Sequence, residues 1–166
     1  IAILAIIIVL ALNFTESGFA DSLIRKRDAD RLDFGTMATF NLVVACIMYM
    51  IIFFSAPAIA GFFNQVELIG IARVLSISLI IRAIVLPGIV ELRKTLRFKN
   101  IAQMNLFTSL FSIGLTYVLA LNGFGYWALA LQPVFLAISN LLFILIAVKW
   151  KPVFKFSYER FKAFFG

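Results

Sequence analysis

Long apolar stretches, repeated along the chain, constrain its fold more than any other feature. There are five, at residues 1–14, 34–60, 69–90, 101–121 and 128–148. Each of the last four is long enough for the ~20 apolar residues that a helix needs to cross a bilayer. We interpret the shorter first stretch as the end of a truncated span. The pattern predicts an all-α fold, a polytopic transmembrane bundle built from antiparallel helical hairpins.

The composition agrees with this class. Hydrophobic residues make up 63% of the chain and charged residues 14%, whereas a soluble domain has about 45–50% and about 25%. One soluble core could not bury this much apolar surface, so the surrounding solvent must be lipid. The chain has no histidine and one cysteine, Cys46, inside an apolar stretch. We therefore predict no catalytic residues, no metal site and no cofactor, with proton or sodium coupling left open.

Basic residues are confined almost entirely to alternate loops. Thirteen of the 15 Lys and Arg residues lie in segments 23–33, 92–100 and 149–166, and none lies in loops 61–68 and 122–127. Positively charged loops stay on the cytoplasmic side. We therefore predict that the three basic segments are cytoplasmic and that the other two loops face outward. The net charge of +7 then reflects topology rather than binding to nucleic acid.

The chain is expected to have two parts, a transmembrane bundle at 1–152 and a short segment at 153–166. Three aromatic residues of the second part would share one helical face: Tyr158, Phe161 and Phe165. This pattern indicates an amphipathic helix on the cytoplasmic membrane surface. A lead-in to a further span is the alternative, and the two are compatible.

The two remaining basic residues, Arg73 and Arg82, fall inside the third apolar stretch. An arginine within a bilayer costs about 2.5–3.5 kcal/mol on insertion scales and usually faces a polar cavity or a partner. Arg73 is near the outer end, where it could extend to the headgroups. Arg82 lies about 20 Å further along the helix than Ile69. Because nine residues separate the arginines, they point to opposite sides of a helix, and Arg82 is the stronger candidate for lining a cavity.

A polar stripe crosses the fourth stretch, since four side chains recur at helical spacing: Asn105, Ser109, Ser112 and Thr116. Such stripes commonly join neighbouring helices by hydrogen bonds. They can also line a hydrophilic path for sugar hydroxyls, and the sequence leaves both interpretations open.

Three residues could bend the predicted helices. Pro87 and Gly88 follow Arg82, and Pro133 lies in the last span. Proline removes a backbone donor and bends a helix. Kinks at these positions would serve either gating or packing.

Several segments resemble the polysaccharide flippases of the Wzx type, a family of lipopolysaccharide biosynthesis transporters. They are ESGFADSLIRKRD at 16–28, APAIAGFF at 56–63, RVLSISLII at 73–81, LNGFGYWAL at 121–129 and KWKP at 149–152. The string SGFADSLIRK is the most specific of them. The family is grouped with the MATE exporters and the MurJ lipid flippase.

The resemblance implies a multi-pass protein of the bacterial inner membrane, with two lobes, of which this chain is most of the N-terminal one. Such proteins move undecaprenyl-pyrophosphate-linked oligosaccharide outward for surface polysaccharide or O-antigen export. The implied partners are membrane lipid, the lipid-linked oligosaccharide and polysaccharide-assembly proteins, with no nucleic acid.

A lipid-linked substrate carries a pyrophosphate, and arginine pairs well with phosphate oxygens. We therefore expect Arg82, and then Arg73, to bind the pyrophosphate. Asn105, Ser109 and Ser112 are the candidates for meeting sugar hydroxyls.

Three other functions compete with the flippase. A MATE-like drug or cation antiporter usually needs a buried Asp or Glu, and none falls inside these apolar stretches. A membrane-embedded polysaccharide polymerase or ligase would be expected to carry a large outer loop, and both outer loops here are short. The third is an assembly component with no transport activity. We expect a transporter rather than an enzyme.

Overall fold

The computed structural model of the chain describes residues 22–24, 26, 29–150, 155–159 and 162. Four long helices and no strand occur within these ranges: α1 (Arg31–Phe63), α2 (Glu67–Lys94), α3 (Phe98–Leu121) and α4 (Tyr126–Ile146). All four are long and apolar enough to cross a membrane. The predicted all-α class is therefore confirmed. The predicted first span, 1–14, and most of the predicted surface helix at 153–166 lie outside the described residues.

Most of the helices extend further into the polar segments than the apolar stretches indicate, and the end of α4 is the exception. Helix α2 continues through Lys94 and α3 begins at Phe98, so the basic loop predicted at 92–100 is a turn of three residues. Helix α4 ends at Ile146, two residues before the predicted limit of that span. Backbone groups in a bilayer must be satisfied within the helix, which favours helices that continue to the interface.

Polar residues define the start of α1. The Asp30 carboxylate accepts hydrogen bonds from the backbone N–H groups of Leu32 (3.0 Å) and Asp33 (2.9 Å). The Asp33 carboxylate accepts in return from the Asp30 N–H at 3.0 Å. This reciprocal capping box satisfies N–H groups that the first turn of a helix leaves without partners.

Helix α2 lies at the centre of the four. It packs against α1 on one side and α4 on the other, whereas α3 packs mainly against α4. Half of the most apolar 18-residue stretch of α2 is buried, compared with 17% for α1 and for α3. The outer helices expose large apolar side chains such as Phe54 and Phe111, as expected of surfaces that meet lipid tails.

Two glycines allow α2 and α4 to approach closely. Gly70 and Gly88 are 18 residues apart, or about five helical turns, and therefore lie on one face of α2. A Cβ at Gly70 would come 3.0 Å from the Trp127 ring, and a Cβ at Gly88 would come 3.1 Å from the Trp150 ring. Small residues commonly bring membrane helices together in this way.

Candidate functional site

Arg73 is held against α1. Its guanidinium carbon lies 4.1 Å from the centroid of the Phe53 ring, a cation–π contact. Arg73 is six residues from the start of α2, and Phe53 is ten residues from the end of α1. In this antiparallel hairpin Phe53 therefore lies about 6 Å deeper than the Arg73 backbone. The side chain is directed toward the middle of the bundle rather than to the outer headgroups, and its buried Nε has no hydrogen-bond partner.

Arg82 lies near the middle of α2. It is about 22 Å along the helix from Glu67 and about 18 Å from Lys94. The residue is half-buried, and within the described part of the chain its guanidinium forms no hydrogen bond or ion pair. A cation at this depth without a counter-charge is costly and indicates a polar cavity or an anionic ligand.

The structure uses the polar stripe of α3 in part to join two helices. The Ser112 hydroxyl is buried and donates to the Gln132 carbonyl of α4 at 3.0 Å. Thr116 is also buried and donates to the Ser112 carbonyl of its own helix at 2.8 Å. Ser109 is half-buried, and Asn105 is exposed. The stripe thus runs from interhelical packing at Ser112 to an open surface at Asn105, and no hydrogen bond brings it together with Arg73 or Arg82 in the described residues.

The predicted kink residues lie inside continuous helices. Pro87 and Gly88 are buried within α2, and Pro133 is half-buried within α4. Gly88 lies against Ile144 and Trp150, which gives it a packing role. A gating role for the three residues remains a prediction.

One buried amide is not among the site residues predicted from the sequence. Asn41 of α1 is 1% exposed, and neither polar atom of its side chain has a hydrogen-bond partner. It lies about 15 Å along the helix from Arg31. An unpaired buried polar group costs about 1–3 kcal/mol. An asparagine inside an apolar span was the available signal.

The three segments predicted to be cytoplasmic meet at one end of the bundle. The Lys26 ammonium binds both carboxylate oxygens of the fully buried Asp33 at 2.8 Å. Lys94, at the end of α2, donates to the Lys26 carbonyl. Asp33 therefore takes part in both the cap of α1 and a buried ion pair. The spacing Asp-x-x-Asp before an apolar run was the signal for that role.

The segment after α4 reaches the same end. The Trp150 indole N–H donates to the Glu91 carboxylate at 2.9 Å, and the Ser157 backbone N–H donates to the Thr36 hydroxyl at 3.2 Å. The common location of the three basic segments agrees with the alternation of charge along the sequence.

Ionisable groups are distributed unevenly between the interior of the described spans and the ends of the helices. Among the described residues, no three His, Cys, Asp or Glu side chains come together as a metal site would require. The carboxylates that the structure describes lie at or beyond the helix ends, at positions 30, 33, 67, 91 and 159. The interior of the spans offers arginine, amide and hydroxyl groups, which can hold an anion or a sugar.

The helices and this distribution of polar groups define a multi-pass membrane protein whose charged interior residues are cationic. Comparison with known proteins identifies the family of the chain. It matches the family described as polysaccharide biosynthesis protein over residues 1–166, and it belongs to that family. The resemblance inferred from the sequence is thereby confirmed at the level of the family.

A curated relative is the teichuronic acid biosynthesis protein TuaB of Bacillus subtilis (strain 168). It is 27% identical over 153 residues, which are 91% of this chain and 32% of the relative. The chain therefore spans about a third of the length of the relative it matches. No solved structure matches the chain.

Proposed function

We propose that this chain is part of a flippase that moves undecaprenyl-pyrophosphate-linked oligosaccharide from the cytoplasmic to the outer face of the bacterial inner membrane. The family match supports a role in polysaccharide biosynthesis. The name of the Bacillus relative refers to biosynthesis of teichuronic acid. In this proposal the oligosaccharide is destined for a surface polysaccharide such as O-antigen.

The observation that carries the proposal is Arg82, a half-buried cation in the middle of the most enclosed span. Its guanidinium has no counter-charge within the described residues. A pyrophosphate supplies that charge, and the planar guanidinium can bind its oxygens in a bidentate manner. Release on the far side requires that the cation bind the anion without reacting with it.

Arg73 and the polar stripe have subsidiary roles. The cation–π contact with Phe53 holds the Arg73 guanidinium inward, where it would meet the pyrophosphate after Arg82. Asn105 and Ser109 would bind sugar hydroxyls. Ser112 could do so only by accepting, since its proton is donated to the Gln132 carbonyl.

A MATE-like drug or cation antiporter is less well supported by the distribution of charge. Proton-coupled exporters carry ionisable acids within the spans. The buried carboxylate in the described residues, Asp33, is the N3 residue of the α1 capping box and is paired with Lys26. It is therefore engaged in structure rather than open to a transported cation.

Export in cells tests the proposal. A strain of the source bacterium that lacks the gene is complemented with the full-length protein or with Arg82→Ala, Arg82→Lys or Lys99→Ala. Lys99 is an exposed cation in the first turn of α3 and serves as the control. We expect surface polysaccharide to be lost with Arg82→Ala, partly retained with Arg82→Lys and unchanged with Lys99→Ala. Normal export by Arg82→Ala, with equal protein in the membrane, would show that Arg82 does not carry the substrate.

A further inference from the structure

A cleft of about 700 Å³ opens at the end of the bundle where α1 begins and α2 and α4 end. Its walls come from the start of α1, the turn between α2 and α3, and the residues after α4. These belong to the three segments that the charge pattern predicts to be cytoplasmic. The volume is within the range of about 300–1,000 Å³ that is usual for ligand sites.

Some of the charged side chains that line the cleft are already bonded to other groups of the protein. Four cations and two carboxylates face the cleft: Arg31, Lys94, Arg97, Lys149, Asp30 and Glu91. Both carboxylates are hydrogen-bonded, Asp30 to backbone N–H groups of α1 and Glu91 to the Trp150 indole. Lys94 donates to backbone carbonyls of the segment before α1. These groups are therefore occupied in building the walls.

Three cations remain. Arg31, Arg97 and Lys149 are exposed, and within the part of the chain that the structure describes their side chains form no hydrogen bond or ion pair. They come from three different segments of the chain and surround one concave surface. Such an arrangement concentrates positive potential and favours an anion that can accept several charged hydrogen bonds.

The backbone at two of these cations is constrained. Leu96, which precedes Arg97, and Lys149 itself both have φ of 55°, a conformation that costs about 1–2 kcal/mol for a residue other than glycine. Leu96 occupies the position that glycine usually takes at a helix end, and the Arg97 N–H there donates to the Leu92 carbonyl at 2.9 Å. Conformations of this kind concentrate at ligand clamps.

The same cleft has an apolar wall. Phe34, Gly88 and Trp150 line it beside the charged groups, and the hydrogen bond to Glu91 fixes the Trp150 indole. Tryptophan at the end of a span marks the level of the lipid headgroups. A ligand with a phosphate and an adjoining apolar chain would match both kinds of wall.

We propose that this cleft binds the phosphate of a lipid headgroup, with Arg31, Arg97 and Lys149 as the phosphate ligands and Trp150 against the first part of the lipid chain. Basic pockets between spans on the cytoplasmic side are a known setting for such headgroups. The phosphate comes either from an anionic phospholipid or from a polyprenyl pyrophosphate. The proposal requires that the bundle lie in a membrane, and it does not require that Arg82 carry substrate.

The test compares two double variants of the full-length protein in neutral detergent micelles. R97Q/K149Q removes two cations from the cleft, and R93Q/K99Q removes two exposed cations from the same basic end, outside the cleft. Binding of phosphatidylglycerol is measured by native mass spectrometry. We expect R97Q/K149Q to bind roughly 30-fold more weakly and R93Q/K99Q to bind less than threefold more weakly. Equal losses in the two variants would overturn the proposal, because they would show diffuse attraction rather than a site.

A single variant tests the same cleft if the double variant is unstable. Should R97Q/K149Q fail to fold, Arg31→Gln removes one exposed cation whose side chain has no hydrogen bond in the described residues, and we expect it to weaken binding about fivefold.

Arg82→Ala is expected to bind phosphatidylglycerol as the unaltered protein does, which separates this site from the proposed transport role. Loss of phosphatidylglycerol binding alone in R97Q/K149Q would support a resident phospholipid, and loss of undecaprenyl pyrophosphate binding as well would support a landing site for substrate. Equal affinity for inorganic pyrophosphate or for phosphatidylcholine would overturn the proposal.

Discussion

Gly88 of α2 lies directly against the indole of Trp150, so that a Cβ built on the glycine would come 3.1 Å from Trp150 Cδ2 and 3.1 Å from Ile144 Cγ2. The contact between α2 and α4 at this end of the bundle therefore depends on a missing side chain. Gly70 and Trp127 repeat the arrangement at the other end. About 27 Å of α2 separates Gly70 from Gly88, close to the hydrocarbon thickness of a bilayer.

Gly88→Ala is expected to destabilise the full-length protein by about 1–3 kcal/mol, because the added methyl group must displace two well-packed side chains. Thermal unfolding in detergent measures the change. Gly114→Ala is the matched control, since a Cβ there meets nothing within 4 Å. Alanine in place of a helical glycine should leave stability unchanged or raise it by up to about 1 kcal/mol. Equal effects at the two positions would contradict the close contact.

Arg73 and Phe53 are expected to be energetically coupled. A double-mutant cycle with Arg73→Met and Phe53→Leu should give a coupling free energy of about 0.5–2 kcal/mol, since the guanidinium is partly desolvated over the ring. Unfolding of the two single variants and the double variant supplies the measurement. Additive effects would show that the cation–π contact does not hold Arg73 inward.

Ser112→Ala and Ser109→Ala separate the two interpretations of the polar stripe. Ser112→Ala removes the hydrogen bond to the Gln132 carbonyl and should cost about 0.6 kcal/mol of stability. Ser109→Ala should leave stability unchanged and lower export if Ser109 meets sugar. A loss of stability at Ser109 with no loss at Ser112 would reverse this assignment.

The orientation of the bundle can be tested by cysteine labelling. Leu96 is 72% exposed in the turn between α2 and α3, and Phe124 is 51% exposed in the turn between α3 and α4. In a full-length protein whose native cysteines, including Cys46, are replaced, we expect Phe124→Cys to react with an impermeant maleimide on intact cells. Leu96→Cys should react only after permeabilisation. Labelling of Leu96→Cys on intact cells would contradict the predicted topology.

Sequence reasoning located the spans because a bilayer imposes one simple requirement, an apolar helix of sufficient length. It therefore anticipated an all-α bundle and the residues at the centre of each described span. The helix ends were less predictable. Asp30 and Asp33 extend α1 through a capping box, which hydropathy does not record.

Relationships between spans were beyond the reach of the sequence. Gly88 next to Pro87 suggested a kink in the helix. Its packing against Trp150 and Ile144 could not be predicted, because nothing in the local sequence indicates that these residues lie against it. Arg97 and Lys149 resembled simple topology signals, since their shared cleft exists only when α2 and α4 end at the same level. The role of Arg82 depends on which groups of other spans face it, and the sequence does not show these. The sequence could give only the depth of Arg82 in its span, from its position along the apolar stretch.

The most direct test of the central claim is the rate at which the full-length protein, reconstituted in liposomes, flips a fluorescent undecaprenyl-pyrophosphate-linked oligosaccharide. Removing the Arg82 cation takes away charged hydrogen bonds to the pyrophosphate, so we expect Arg82→Ala to flip at least about tenfold more slowly. Arg82→Lys should retain part of the rate, and Lys99→Ala should retain all of it. Flipping by Arg82→Ala at the unaltered rate, in liposomes that hold equal amounts of folded protein, would contradict the claim that Arg82 carries the substrate.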